Sequence, residues 1–399
     1  MVYASGVGML IGIVGAPNKG KSTLFSAFTE AAVEIADYPF TTISPNRGTT
    51  YVTAQCVEKE KGLKCRPKNS RCIGGTRYIP ISIIDVAGLV SGAHEGKGRG
   101  NQFLNDIASS DAIILVTDAS GRTDPSGVPC TSCNPADDVR MVLSEMAEWL
   151  ASSIRKGMKQ IARNQNPGEA LATYLSGFKI TRQHVDAALK NLNMQIPKEG
   201  LSDGDTLSLA AELMRLSKPF IIAANKSDVP GSEANVEKLK AEYGSSEVIA
   251  CSAAVELALR KARSKGIIRY DDGSDSFEMS SVGASEEQAA VLKTLSGILK
   301  RNGGTHVQEI LNRVVFGLLD SIVVYPVEDE NKWTDSNGNV LPDAILLKKG
   351  STTMDLAMAV HTEIAKKMLY AVDGRTHARL AKNHILKDSD VVKIVSAAK

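Results

Sequence analysis

The chain has 399 residues, with 47 basic and 45 acidic side chains, a formal net charge of +2 and 5% aromatic residues. Its length calls for two or three domains, and its near-neutral balance argues against a protein that coats nucleic acid, while leaving room for local basic patches. With 43% apolar and 23% charged residues, a collagen-like or wholly disordered chain is excluded.

In chain order, the opening MVYASGVGMLIGIVG lacks a basic n-region and runs straight into a glycine motif. It reads as a buried strand at 8–15 and not as a signal peptide. No apolar run approaches the roughly 18–20 residues that cross a bilayer, so no membrane partner is expected. Further apolar runs follow at 79–85, 112–118, 219–225 and 247–253, with helical stretches between them. Near-continuous apolar strands alternating with helices predict an α/β fold with a doubly wound, mainly parallel sheet.

The spacing from 118 to 219 is too long, because one crossover with its loops needs only about 25 residues. Helices expected at 137–164, 181–193 and 203–216, with Gly/Pro breaks at 166–168 and 197–204, fill the gap as an inserted helical domain. More helices are expected at 254–265, 285–301 and 305–320, with a polar loop at 271–284. From 321 the character becomes β-rich: VVYPV, a turn at Asn337–Gly338, AILLKKG, LYAVDG and DVVKIV. Thr352 and Asp355 make a capping box that opens one helix running to about Lys367. The expected domains are 1–133 with 218–320, an insertion at 134–217, and a terminal module at 321–399.

Four motifs carry chemistry, each at a strand end. GAPNKGKST (15–23) fits G-x-x-x-x-G-K-[ST] between a strand and a helix. Its backbone N–H groups, with Asn18, Gly20 and Thr23 in the loop and the helix start, suit a triphosphate. Lys21 reaches β- and γ-phosphate oxygens, and Ser22 offers Mg²⁺ a hydroxyl. DVAG (85–88) supplies Asp85 for Mg²⁺ and a Gly88 N–H for the γ-phosphate. NKSD (225–228) places Asp228 to accept from guanine N1–H and N2–H₂, a donor pair that adenine lacks. Asn225 and Lys226 brace base and P-loop, and CSAA (251–254) offers the Ser252 or Ala253 N–H to guanine O6.

These segments, together with IADYPFTT (35–42), DVAGLVSGAHEGKGRGNQFL (85–104) and the terminal module, resemble the YchF subfamily of Obg-related P-loop GTPases and ATPases, particularly its archaeal branch. The resemblance covers nearly the whole chain. It implies a G domain interrupted by a helical domain, a C-terminal TGS (β-grasp) domain, and association with ribosomes or structured RNA. It also implies that Thr42 closes on Mg²⁺ and the γ-phosphate. Many members carry N-x-x-E and prefer ATP, whereas this chain has Asp228. GTP is therefore the expected nucleotide, with ATP the alternative.

Where Ras-like enzymes carry a water-positioning Gln, this chain has Leu89, so slow intrinsic turnover is expected. Two substitutes are available: Asn18, which by resemblance helps hold K⁺ near the phosphates, and His94 in the glycine-rich segment, which could equally be a solvated loop histidine. Arg99 and Arg47 are weaker candidates. A nucleotide-gated binder that does not hydrolyse is the rival from another class.

The six cysteines (56, 65, 72, 130, 133, 251) are too few for a disulfide scaffold, and a monomer in the cytoplasm is expected. The C-x-x-C at Cys130 and Cys133 suits zinc, and a site shared with Cys56, Cys65 and Cys72 competes with plain thiols. Residues 56–78 carry seven Lys/Arg against Glu58 and Glu60, a net +5. Residues 321–343 net −4, from five acids and one Lys, and 344–399 net +5, from ten Lys/Arg and five acids. Lys348, Lys349, Lys366, Lys367, Arg375 and Arg379 could meet RNA phosphates, or form an ordinary solvated face.

Overall fold

The structure is a computed structural model, and it describes residues 8–33, 46–68, 70–86, 92, 106–280 and 283–397. In chain order the elements begin β1 (Leu10–Val14), α1 (Lys21–Val33), β2 (Arg47–Gln55), β3 (Arg71–Ile73), β4 (Thr76–Asp85) and β5 (Ala112–Asp118). Four helices follow: α2 (Pro135–Ala162), α3 (Pro167–Tyr174), α4 (Arg182–Asn191) and α5 (Asp203–Ser217). Then come β6 (Phe220–Asn225), α6 (Ser232–Tyr243), β7 (Val248–Ala250), α7 (Ala253–Ser264), β8 (Ile268–Arg269), β9 (Glu278–Met279), α8 (Glu286–Asn302) and α9 (Val307–Asn312). A π-helical turn at Arg313–Leu318 leads to β10 (Ser321–Val327), β11 (Ile345–Lys348), α10 (Thr353–Val360), α11 (Thr362–Lys367), β12 (Met368–Asp373), β13 (Arg379–Leu380) and β14 (Asp390–Ser396). The chain divides into two compact units, one of residues 11–27 and 84–310, the other of 1–10, 28–83 and 311–399.

In the first of these, the strand order is β1-β5-β6-β7, and β1 with β5, β5 with β6, and β6 with β7 pair in parallel. Every residue of β5 is buried, and so are Ile11–Val14 of β1. A sheet buried on both faces explains why these strands read as unbroken apolar runs. Between the neighbours β5 and β6 the chain makes α2 to α5, which accounts for the stretched spacing.

Helix α2 starts where Asn134 caps it, its side chain accepting from the Ala136 N–H at 3.2 Å, with Pro135 at the first helical position. Val139, Val142, Met146, Leu150, Ile154, Met158 and Ile161 then form its buried stripe at helical spacing. The Gly/Pro break expected at 166–168 is a second such start, since Asn166 caps α3 with Pro167 at its first position.

In the second unit, β2 and β3 pair with β4, and β3–β4 is a hairpin turned at Gly74 and Gly75, both with positive φ. Neither β2 nor this hairpin was expected from the sequence. The terminal strands form a mixed sheet in the order β11-β10-β14-β12-β13, with β10 and β14 parallel. Ile322, Val324, Leu347, Leu356, Ala357 and Val392 form its core with the helices that lie over it. The single helix expected from Thr352 to Lys367 is two helices. His361 is extended (φ −167°), and its Nδ1 accepts from the Glu363 N–H at 3.1 Å, capping a fresh start for α11. No described helix is long and apolar enough to cross a membrane.

Candidate nucleotide site

The glycine loop between β1 and α1 is held in a shape that only glycine allows at two points. Gly15 has φ +155°, and a Cβ there would stand 2.4 Å from the Val116 carbonyl oxygen. Gly20 has φ +90°, and a Cβ would stand 2.3 Å from the Asn225 amide nitrogen. Asn18 lies at the exposed tip with φ +61°, its Nδ2 donating to the Gly127 carbonyl at 3.0 Å. Thr23 is half-buried in the first turn of α1.

Lys21 opens α1, and its ammonium donates to the Ala16 carbonyl at 2.8 Å. Burial pushes it down to about 8, against the opposing pull of Asp85. A buried cation with one carbonyl partner among the described residues is short of negative charge, which a phosphate supplies. Beside it the Ser22 hydroxyl donates to Asp85 Oδ2 at 2.9 Å. Burial raises the Asp85 carboxyl above the usual range, opposed by Ser22 and Lys21. Two hard oxygens, one of them on a partly desolvated carboxyl, suit Mg²⁺.

NKSD follows β6 and is tied to the glycine loop. Asn225 Nδ2 donates to the Lys19 carbonyl at 3.0 Å, while its Oδ1 accepts from the Ala253 N–H at 3.0 Å. Lys226 has φ +64°, and its ammonium bridges the Asn18 carbonyl (3.1 Å) and Asp118 Oδ2 (2.8 Å). Ser227 is buried and shares a hydrogen bond with the Ser252 hydroxyl at 3.1 Å. Asp228 stands differently. Its backbone carbonyl accepts from Arg301 at 2.9 Å, but its half-buried carboxylate has no hydrogen-bond or ion-pair partner among the described residues. The two N–H groups expected to meet guanine O6 are engaged inside the protein: Ser252 donates to the Thr305 carbonyl (3.1 Å), and Ala253 to Asn225.

Sequence reasoning missed an ionic layer beneath the loop. Lys19 is fully buried, and its ammonium meets Asp138 (2.9 Å), the Thr123 hydroxyl (2.9 Å) and the Thr123 and Asp124 carbonyls (2.9 and 2.8 Å). Asp138 is in the first turn of α2, so the helices after β5 reach the phosphate loop directly. Farther along α2, Glu145 accepts from the Gly92 N–H at 2.7 Å. A lysine at a variable P-loop position was the available signal, since a buried cation demands a carboxylate.

Thr42, Gly88, Leu89, His94 and Arg99 lie outside the described residues. Arg47 is exposed on β2. The zinc alternative that joined the C-x-x-C pair to the other cysteines is corrected: Cys130 and Cys133 are bonded to each other as a disulfide and join no other thiol. Most of the terminal cations offered to RNA are engaged at home. Arg375 makes a bidentate pair with Glu60 at 2.7 Å on both arms, Lys366 meets Glu363 at 2.7 Å, Lys349 meets Asp320 at 3.6 Å, and Arg379 lies 3.9 Å over the Tyr370 ring. Lys348 and Lys367 are exposed.

Three family models match the chain: a 50S ribosome-binding GTPase over residues 10–159, the G4 motif-containing domain of YGR210-like Obg-like GTPases over 223–329, and a TGS domain over 338–396. A GTP-binding protein of Methanocaldococcus jannaschii, MJ1332, is 48% identical over 98% of this chain and 100% of its own length. The crystal structure of a GTP binding protein from Pyrococcus horikoshii OT3 is 36% identical with a TM-score of 0.77, covering 98% of this chain and 100% of that one. The ribosome-binding ATPase YchF of Haemophilus influenzae is 27% identical over 97% of this chain and 98% of its own. Glycine loop, base motif and terminal β-grasp module thus agree with these likenesses, and the chain belongs to the archaeal-type YchF subfamily of Obg-related P-loop GTPases, with a C-terminal TGS domain.

Proposed function

We propose that this chain is a Mg²⁺-dependent nucleoside triphosphatase that takes GTP in preference to ATP, turns it over slowly, and acts as a ribosome-associated switch in translation. The observation that carries the guanine preference is Asp228, a carboxylate without a partner among the described residues, beside three neighbours that are all anchored. Guanine offers it two N–H donors, whereas adenine would leave it desolvated and unpaired.

Lys21 exchanges its carbonyl partner for phosphate oxygens, and the helix start behind it adds positive potential. Ser22 and Asp85 hold Mg²⁺, which when bound neutralises charge on the β- and γ-phosphates. Thr42 and the Gly88 N–H close on the γ-phosphate, and Leu89 leaves the attacking water without a polar guide. Asn18 supports a K⁺ ion beside the phosphates, and His94 is a second aid to turnover. The G domain takes residues 1–133 and 218–320, the helical insertion 134–217 and the TGS domain 321–399. The ribosomal role draws on the Haemophilus influenzae relative, whose name is ribosome-binding ATPase.

Single-turnover hydrolysis of GTP, with and without ribosomes, tests the reading. Slow Mg²⁺-dependent release of phosphate is expected, faster in KCl than in NaCl and slower still for His94→Ala. Bound GTP that persists without cleavage in every condition would establish a non-hydrolysing binder instead.

A further inference from the structure

Outside the nucleotide site, a second group of reactive side chains gathers where β2 ends. Cys56 follows β2, Glu58 lies in the 3₁₀ turn Val57–Lys61, Cys65 lies in the loop after it, and Cys72 sits on β3. Among the described residues, one ligand atom from each of these four lies within 4.8 Å of every other. Cys56 Sγ is 4.0 Å from Cys65 Sγ, and Cys72 Sγ is 3.5 Å from Glu58 Oε1. In a tetrahedral zinc site with Zn–S near 2.3 Å and Zn–O near 2.1 Å, sulfur–sulfur edges are about 3.8 Å and sulfur–oxygen edges about 3.6 Å. The group therefore has the dimensions of a coordination shell before any ion enters it.

The backbone supports the same arrangement. The Cys65 N–H donates to Glu58 Oε2 at 2.8 Å, leaving the other carboxylate oxygen toward Cys72. The Cys56 N–H donates to the Gly75 carbonyl at 2.8 Å, which fastens the end of β2 to the β3–β4 turn. Gly62, at φ +62°, reverses the chain between Glu58 and Cys65. Cys56 is 2% exposed and Cys65 is 9% exposed, so water is largely shut out from one side, while Cys72 and Glu58 are half-buried on the side from which an ion can enter. Three thiolates and a carboxylate around a divalent ion leave two negative charges, and a cation stands by. Arg77 is the cross-strand partner of Cys72, is fully buried, and among the described residues has Nε and Nη1 without a hydrogen-bond partner.

We propose that Cys56, Glu58, Cys65 and Cys72 form a structural binding site for one thiophilic divalent ion, zinc in the first place. Soft sulfur donors select zinc over magnesium, so this site and the nucleotide site draw on different metals. Binding displaces the thiol protons and closes the 56–72 loop onto the β3–β4 hairpin. It holds together a segment too short for a core of its own.

The test uses the full chain, purified under reductant, stripped with chelator and titrated with Co²⁺ and then Zn²⁺. One equivalent of Co²⁺ with sulfur-to-cobalt charge-transfer absorption and the visible bands of a tetrahedral ion is expected. Zn²⁺ should displace it, and excess Mg²⁺ should not. Cys72→Ser, at a half-buried position, should weaken Co²⁺ binding about tenfold or more, and Glu58→Gln should weaken it while keeping the charge-transfer bands. Cys130→Ser/Cys133→Ser should bind as the parent does. Absence of charge-transfer absorption in the folded parent chain would overturn the proposal. So would full binding by Cys72→Ser, or binding lost with Cys130 and Cys133.

Discussion

The nucleotide site and the cysteine-bearing region are both built where strands end, yet they are assembled in opposite ways. Around the glycine loop, several motif side chains bind backbone, beside the side-chain pairs of Lys19, Ser22 and Lys226: Asn225 takes the Lys19 carbonyl, Lys226 the Asn18 carbonyl, and Lys21 the Ala16 carbonyl. Backbone partners are present in every sequence, so the motif alone specifies the contact. In the other unit, side chains pair with side chains and carbonyls far away in the chain. Arg375 meets Glu60, Arg77 the Leu341 carbonyl, and Thr53 and Asn312 exchange two hydrogen bonds at 2.9 and 2.8 Å. Such pairs depend on the fold and leave no local pattern.

The contrast can be pressed by experiment. Its largest consequence is a double dissociation. Lys21→Ala should lower triphosphate affinity about 100-fold or more, since a charged partner is lost in a desolvated site, while Co²⁺ uptake stays unchanged. Equilibrium binding of a fluorescent GTP analogue reads the first half and cobalt spectra the second. Next is Asp138→Ala, which strands the buried Lys19 ammonium on neutral oxygens. It should cost about 3 kcal/mol in chemical denaturation, and a loss below about 1 kcal/mol would mean that the carbonyls of Thr123 and Asp124 suffice.

A smaller effect concerns Lys218, buried with its ammonium on the Ala108 and Ser110 carbonyls at 2.6 and 2.7 Å. Burial pushes it down to about 7, aided by Lys179 and opposed by Asp111. Between pH 7 and the ordinary lysine range, the unfolded chain holds a proton that the folded chain has released. This lysine therefore makes stability rise with pH across that window, by at most about 1.4 kcal/mol per pH unit. Relative to the parent chain, Lys218→Met should remove that slope, and an unchanged slope would place the ammonium's charge elsewhere in the balance. The smallest effect belongs to Arg375→Ala, an exposed pair worth less than about 1 kcal/mol and weaker still in high salt.

The same contrast explains what the sequence could tell. Strand β5, buried at every residue, reads directly as an apolar run, and so does most of β1. Strand β2, RGTTYVTAQ, mixes exposed and buried positions and escaped notice. The Thr352 capping box was legible, but the break at His361 was not, because a histidine that caps a second helix looks like any other helical residue. The charge tally of +5, −4 and +5 found real asymmetries but not the pairs that cross between them. Lys68 pairs with Asp335 and Lys393 with Glu330, so the acidic block meets a cation from each basic block within one unit. The zinc spacing at Cys130 and Cys133 was the more obvious pattern. The thiols that do gather span 56 to 72 and take a carboxylate, which no C-x-x-C rule anticipates.

The central claim, that the free carboxylate of Asp228 selects guanine, is tested most directly by competition of unlabelled GTP and ATP for one bound fluorescent nucleotide, in the parent chain and in Asp228→Asn. The account predicts tighter GTP than ATP in the parent, loss of that preference in the variant, and a gain for xanthosine triphosphate, whose C2 carbonyl accepts from the new amide. Tighter ATP than GTP in the parent chain would contradict it.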